Sequence, residues 1–246
     1  MSFLISIVGA GPGDPELLTV KALNRIQQAD YILHDALVSE EILQLARPEA
    51  IRVYVGKIYS DGQDQTERQD TINQLILDLS VKEQKVVRLK SGDPMIFGRG
   101  AEEIRFCIDN QLNYEVIPGV TSALGAASAY GIPLTERGKN SMVLFGTGTY
   151  CEGDFCDIKT FVSVLQSGSP IVFFMGLSKL IKLAKRLVDL SIALETKVHI
   201  LSKVSQPGAD AIDGTLQNIA QLIETHQPPM PALVIIGRNA ERLRMS

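Results

Sequence analysis

The chain alternates between short, nearly continuous apolar runs and longer stretches in which apolar positions recur every three to four residues. Runs of the first kind at 3–8, 31–33, 51–55, 85–89 and 114–117 predict strands buried on both faces. Periodic stretches at 71–79 and 101–110 predict helices. Asp14 stands where it can cap a helix starting at Pro15, because proline's fixed φ and missing N–H suit the first helical position. Leu17, Leu18, Ala22, Leu23 and Ile26 then share one helical face. A second block follows 118–119. It reads as helix 122–130, strand 141–145, helix 158–166, strand 170–175, helix 178–190, strand 197–201, helix 216–226 and strand 232–236, with 146–157 as its longest irregular stretch.

Strands alternating with helices predict α/β layering. A length of 246 residues exceeds the roughly 100–150 of a common domain. The expectation is therefore two α/β domains, 1–118 and 119–246, joined near 118–121 with a ligand cleft between them. Composition adds limits. With 45% apolar and 21% charged residues the chain has enough apolar surface to fold. Its net charge of −4 argues against a nucleic-acid or anionic-membrane partner. No apolar run approaches the ~20 residues that span a bilayer. The first residues read as a strand entering a glycine loop rather than as a signal peptide. Three cysteines, Cys107, Cys151 and Cys156, fit a reducing cytoplasm better than a disulfide framework, and their spacing offers no metal clip.

Three glycine-bearing stretches carry the chemistry. The first, Gly9-Ala10-Gly11-Pro12-Gly13-Asp14, looks like a dinucleotide fingerprint but has Asp14 where a third glycine is needed. Pro12 offers no N–H to a phosphate, and Asp14 would repel one. A tight turn lining a pocket for a ligand without phosphates fits better. The second is Ser91-Gly92-Asp93-Pro94 at the end of a strand, followed by Phe97-Gly98-Arg99-Gly100 and Glu102. It offers carbonyls, amides and a carboxylate where open α/β sheets bind ligands. Arg99 lies between two glycines, and Glu102 is one helical turn on and able to pair with it bidentately. In the third, Pro118-Gly119-Val120-Thr121-Ser122, the two hydroxyls stand at a helix start, where they can cap the helix or meet a ligand. Asp35, after the strand at 31–33, reads as a general base or as an exposed loop acid.

These stretches together, in the order GAGPGDPELLTVKAL, LHDALVSEEIL, YVGK, VVRLKSGDPMIFGRGAEE, VIPGVTSALGAASAYGIPLTERG and PALVIIG, resemble the tetrapyrrole methylase family over most of the chain. The resemblance implies two α/β domains, a homodimer, S-adenosylmethionine as methyl donor and a tetrapyrrole substrate. It places donor contacts at Pro12, Ser91, Gly92, Asp93, Ile96, Thr121, Ser122, Met175, Val204 and Ala232. It implies proton handling at Asp35 and Lys57, with Arg99 as a further candidate. Substrate contacts are implied at Arg99, Glu102, Arg137 and Met175. LLTxKAL, FGRGxEE and PLTxRG are most similar to the branch that methylates uroporphyrinogen III at positions 2 and 7, giving precorrin-2. Ser91, Glu136, Thr149 and Ile58-Tyr59-Ser60 depart from the family pattern, and they keep open a later precorrin or cobalt-precorrin as substrate. A non-catalytic tetrapyrrole- or metabolite-binding module is the rival from another class. No metal is expected.

Overall fold

The computed structural model describes residues 5–56, 65–81, 84–148, 150–151 and 154–243. The chain divides into two compact units, Met1–Ser122 and Ala123–Ser246.

Unit 1 is built on a five-stranded sheet, all parallel. In chain order its elements are β1 (Ile5–Gly9), α1 (Val20–Gln28), β2 (Tyr31–His34), α2 (Glu40–Leu43), β3 (Ile51–Tyr54), α3 (Gln65–Val81), β4 (Val86–Lys90), α4 (Gly100–Asp109) and β5 (Tyr114–Ile117). The strand order is β3-β2-β4-β1-β5. From β1 the chain steps one way to β2 and β3, then returns the other way to β4 and β5. Right-handed crossovers therefore put the first two helices on one face and the next two on the other. The core agrees with that rule. Val8, Ile32, Val87 and Leu89 pack with Ala22, Ile26 and Ile42 of α1 and α2. Ile5, Ile7, Leu33 and Val86 pack with Ile72, Ile76, Leu79 and Cys107 of α3 and α4. Along β4 the period of two then assigns Arg88 and Lys90 to the face of Val86, the face covered by α4.

Unit 2 begins with α5 (Ser122–Tyr130), whose first residue closes unit 1. It continues with β6 (Leu144–Thr147), the short hairpin β7 (Tyr150–Cys151) and β8 (Asp154–Phe155), α6 (Ile158–Gln166), β9 (Ile171–Phe174), α7 (Leu180–Asp189), β10 (Lys197–Ser202), β11 (Asp210–Thr215), α8 (Ile219–His226) and β12 (Ala232–Gly237). Its main sheet has the order β11-β10-β12-β9-β6, antiparallel except for the parallel β6–β9 pair. Phe161, Phe173, Leu183, Leu187, Ile200 and Val234 pack the face that carries α6, α7 and α8. Ala123, Ala126, Val172, Leu201, Leu233 and Ile235 pack the face that carries α5.

Three expectations change. The helix read as continuous from Pro15 is a single 3-10 turn, Pro15–Leu17, after which Thr19 caps α1 afresh by accepting from the Ala22 amide at 3.1 Å. Asp14 caps only the turn, through the Glu16 amide at 2.8 Å. Strand β11 has no counterpart among the predicted strands because its residues, DAIDGT, carry no apolar run; β10 supplies its ladder at the sheet edge. Cys156 is disulfide-bonded, so the expectation of thiols holds for the buried Cys107.

Candidate functional site

The carboxyl ends of β1, β4 and β5 bring the three glycine-bearing loops of unit 1 together. Chains leaving the neighbours β1 and β4 diverge in opposite directions across the sheet, which opens a crevice at their ends. The loops are clasped backbone to backbone. Gly11 N–H donates to the Gly92 carbonyl at 3.1 Å, and Gly92 N–H donates to the Gly11 carbonyl at 2.7 Å. A Cβ on Gly9 would stand 2.5 Å from the Gly119 nitrogen and 2.7 Å from the Gly92 oxygen, and a Cβ on Gly119 would overlap that same oxygen. Gly92 is different: its φ of +68° favours glycine, while a Cβ there would make only ordinary contact, 3.9 Å from the Ser122 nitrogen and the Thr121 Cα.

Asp93 ties this cluster together. Its Oδ2 accepts from the Gly119 amide at 3.0 Å and its Oδ1 from the Met95 amide at 2.8 Å. The loops 9–14, 91–96 and 118–122 contain no Lys or Arg, while Asp14 and Asp93 put two carboxylates there. Such a crevice repels phosphate and suits a cationic ligand. Pro12 is buried, Ser91 and Ile96 are half-buried, Thr121 is buried, and Ser122 starts α5.

A second pocket of about 320 Å³ opens beside Ser91, at the end of β4. Asp35, Arg88, Lys90, Phe97 and Arg99 line it, together with Leu37, Gln69 and Ile72. The loop 94–100 is wound tightly around the Pro94 carbonyl, which accepts from the Gly100 amide at 3.0 Å. That winding puts Phe97 at φ +53° and Arg99 at φ +60°. Left-handed backbone at two such residues costs on the order of 1–3 kcal/mol each. Arg99 meets Glu102 through both ends of its fork, Nε to Oε1 at 3.0 Å and Nη2 to Oε2 at 2.8 Å.

Beneath the pocket lies a buried ionic network that reasoning from sequence missed. Arg88 and Lys90 side chains are 3% exposed and Glu103 is fully buried. Arg88 donates from Nε to Glu103 Oε1 (2.9 Å), from Nη1 to the Leu33 and Leu89 carbonyls (3.2 and 3.3 Å), and from Nη2 to Asp35 Oδ1 (2.5 Å). Lys90 donates to Glu103 Oε1 at 3.0 Å and lies 3.8 Å from Asp35 Oδ2. Burial opposes the charge on Arg88, but the Glu103 and Asp35 carboxylates outweigh it and hold the guanidinium more firmly protonated than usual. Burial and the Arg88 cation together push the Lys90 ammonium below its ordinary range despite the two carboxylates. Asp35 is thus an ion-paired acid at the pocket wall, 31% exposed, and not an exposed loop acid. The signal in the sequence was two cations at alternate positions of a strand otherwise continuous in Val and Leu, a pattern that demands buried counter-charges. Lys57, read as a proton-handling residue, lies outside the described residues, as does Thr149.

In unit 2, Met175 follows β9 at φ +51°, Val204 lies just past β10, and Ala232 opens β12. Ser202 pairs with Ala232, and Val234 pairs with Phe173, so the antiparallel register brings all three to one end of that sheet. Arg137 is exposed in the turn closed by the Glu136–Asn140 bridge, beside a Glu136–Lys139 ion pair at 3.0 Å. A further polar pocket of about 450 Å³ collects His199, Asp213, Lys197, Asn218 and Arg242. Among the described residues, no group of three or more His, Cys, Asp or Glu is placed to hold a metal ion. No described helix is long and apolar enough to cross a membrane.

Residues 4–220 match the profile of the tetrapyrrole (corrin/porphyrin) methylases. A siroheme synthase of Psychrobacter cryohalolentis is 45% identical over 233 residues, covering 95% of this chain and 44% of the relative. The chain spans about half the length of the curated relatives it matches. Among solved structures, uroporphyrin-III C-methyl transferase of Thermus thermophilus, complexed with S-adenosyl homocysteine, superposes with a TM-score of 0.78 at 35% identity, covering 95% of this chain and 91% of that one. A cobalt precorrin-4 methyltransferase superposes with a TM-score of 0.83 at 25% identity, covering 96% of this chain and 95% of that one.

Proposed function

This chain belongs to the tetrapyrrole (corrin/porphyrin) methylases, and from that premise we propose that it methylates uroporphyrinogen III at ring carbons 2 and 7, giving precorrin-2. One observation carries the choice of methyl donor. The loops at the ends of β1, β4 and β5 are built on glycine backbone and carry two carboxylates, Asp14 and Asp93, and no cation. That chemistry supports S-adenosylmethionine, a cation without phosphates, and disfavours a nicotinamide dinucleotide. Pro12, Ser91, Gly92, Asp93, Ile96, Thr121 and Ser122 are its proposed contacts in unit 1, and Met175, Val204 and Ala232 those in unit 2. Asp93 acts here by fixing the Gly119 and Met95 amides as well as by its charge.

When bound, the donor supplies a methyl group on a sulfonium. A reduced porphyrinogen carbon is already nucleophilic, so the protein's task is alignment, worth up to ~7–11 kcal/mol of the barrier. No covalent nucleophile is required. Alkylation leaves the methylated ring carbon fully substituted and the macrocycle cationic, so a proton must then leave another position of the macrocycle, and Asp35 is the proposed acceptor. Its carboxylate is ion-paired with Arg88 and stands at the wall of the pocket. Lys57 is carried over as a second proton-handling residue from the family pattern alone. Arg99, ordered by Glu102, and Arg137 are the proposed partners of the substrate's carboxylates, and Met175 is a further proposed substrate contact; bidentate guanidinium pairs are the strongest available for that role. The acidic net charge supports a small-molecule partner over a nucleic acid or an anionic membrane. A homodimer is carried over from the family pattern alone, and a cytoplasmic site of action goes with tetrapyrrole biosynthesis.

The test is an anaerobic incubation with S-adenosylmethionine and uroporphyrinogen III, followed by product mass. Two added methyl groups are expected. One addition, or turnover only with a later precorrin, assigns the chain to another step of corrin synthesis. Binding of the donor without any turnover assigns it to a non-catalytic role.

A further inference from the structure

Glu103 forms no part of the pocket wall, yet it is the fully buried carboxylate on which the whole ionic network turns. We propose that Glu103 is a positioning residue for Asp35, acting through Arg88 and Lys90, an inference that rests on the reading of Asp35 as proton acceptor. One oxygen, Oε1, receives both the Arg88 Nε and the Lys90 Nζ. The guanidinium is planar and rigid, so fixing Nε on Glu103 and Nη1 on the Leu33 and Leu89 carbonyls fixes the direction of Nη2 as well. Nη2 is the atom that grips Asp35 Oδ1. Asp35 Oδ2 lies 3.8 Å from Lys90 Nζ, beyond hydrogen-bond reach, so the less tightly held oxygen is the one the geometry assigns to the incoming proton.

Charge balance supports the same role. Arg88 and Lys90 share one strand face under the pocket, and Asp35 alone would leave two buried cations against one carboxylate. Glu103 makes the set neutral. Its second oxygen, Oε2, has no hydrogen-bond partner among the described residues. A carboxylate kept for hydrogen bonding would have both oxygens satisfied. Glu103 is held in place at the expense of one, which points to its charge and its grip on the two cations.

The groups that face Lys90 are Arg88 on its own strand, Glu103 on α4 and Asp35 beyond β2, with Cys107 one turn past Glu103 and Arg99 lining the same pocket. Removing the Glu103 charge takes away the nearest carboxylate that holds the Lys90 ammonium charged. Its proton then leaves at lower pH.

The experiment is a double-mutant cycle of Glu103→Gln and Asp35→Asn. Glu103→Gln is expected to lower kcat by about ten- to a hundredfold, the scale of a weakened general base. Its affinity for S-adenosylhomocysteine should stay within about twofold of the parent. In the Asp35→Asn background the same change should cost less than about twofold, because its effect passes through Asp35. A merely structural role predicts the full loss in both backgrounds, and that result overturns the proposal. If Glu103→Gln does not accumulate as folded protein, Glu103→Asp, which keeps the charge on a shorter stem, carries the same cycle. Titration of the Lys90 ammonium by NMR of protein isotope-labelled at lysine Cε needs no turnover. Proton loss from Lys90 at a lower pH in the variant supports the assignment even if uroporphyrinogen III proves not to be the substrate, and an unchanged titration rejects it.

Discussion

The two five-stranded sheets use similar lengths of chain and bury different things. The parallel sheet of unit 1 encloses Arg88, Lys90, Glu103 and Glu115, all nearly inaccessible to water. The mostly antiparallel sheet of unit 2 encloses Phe161, Phe173 and a large aliphatic cluster, with Ser169, Thr196, His199 and Ser202 as its buried polar residues. Hydrophobic burial needs no directional partner, whereas each buried charge needs a counter-charge at a defined distance. Unit 1 therefore spends conformational freedom on fixing charged atoms, and those of Arg88, Lys90 and Glu103 lie beneath the pocket at the carboxyl end of β4, where a reaction can use them. Unit 2 offers a firm scaffold, with Met175 exposed at one end of its sheet, Ala232 half-buried and Val204 buried in its core.

The difference can be broken most forcefully at Phe173. This ring is fully buried and packs edge-on against Phe155 and Phe161, with centroids 6.3 and 6.1 Å away. Phe173→Ala is expected to cost about 3–5 kcal/mol, transfer and cavity terms together. Because no charge is involved, the loss should be the same at pH 5 and pH 8 in denaturant titrations. A strongly pH-dependent loss would mean that the core of unit 2 is not the apolar scaffold described above.

Glycines sharpen the contrast at the next level. Gly119→Ala drives a Cβ into the Gly92 carbonyl, where only backbone can move. It is expected to cost about 3 kcal/mol, the upper part of the usual overpacking range, and to abolish donor binding in calorimetry. Gly92→Ala makes only ordinary van der Waals contact and costs what its left-handed φ costs, about 1–2 kcal/mol. Equal losses from the two changes would show that strain rather than close approach governs the crevice.

The same distinction explains what was legible in the sequence. Apolar runs located β1, β2, β4, β5, β9, β10 and β12 to within a residue or two, because a strand buried on both faces must be continuous in such residues. β11 escaped because its pairing comes from its neighbour. The 3-10 turn before α1 escaped because Asp14 and Thr19 are both good caps, and only packing decides which one starts the long helix. The three glycine loops were legible as a group, since glycine, proline and aspartate each restrict backbone or charge locally. The Arg88–Glu103–Lys90 cluster was not. Its partners lie 13 to 55 positions apart in the chain, and no local pattern says which distant carboxylate a buried cation will meet.

The mildest test falls on Glu115, the other buried carboxylate of unit 1. It accepts from Ser6 Oγ at 2.9 Å, pairs with Lys21 at 2.8 Å and receives the Arg25 Nε. Burial works against its charge, but the hydrogen bonds from Arg25, Lys21 and Ser6 win and hold its carboxyl below the usual range. A carboxylate depressed in the folded state contributes stability that is fully present above its unfolded value of about 4.3 and is lost as pH falls through the folded one. Arg25 and Lys21 are partly exposed, so water and salt screen their share. Glu115→Gln is therefore expected to cost about 1–2 kcal/mol at pH 7. The gap between the variant and the parent should narrow in denaturant titrations carried progressively below pH 4, as the parent's own carboxylate takes up its proton. High salt at pH 7 should narrow it in part, by removing the Lys21 share while leaving the Ser6 hydrogen bond. A gap that stays constant from pH 7 into acid would mean that Glu115 stabilises the β1–β5 seam through shape alone, and the ionic character assigned to unit 1 would then belong to the network beneath the pocket only.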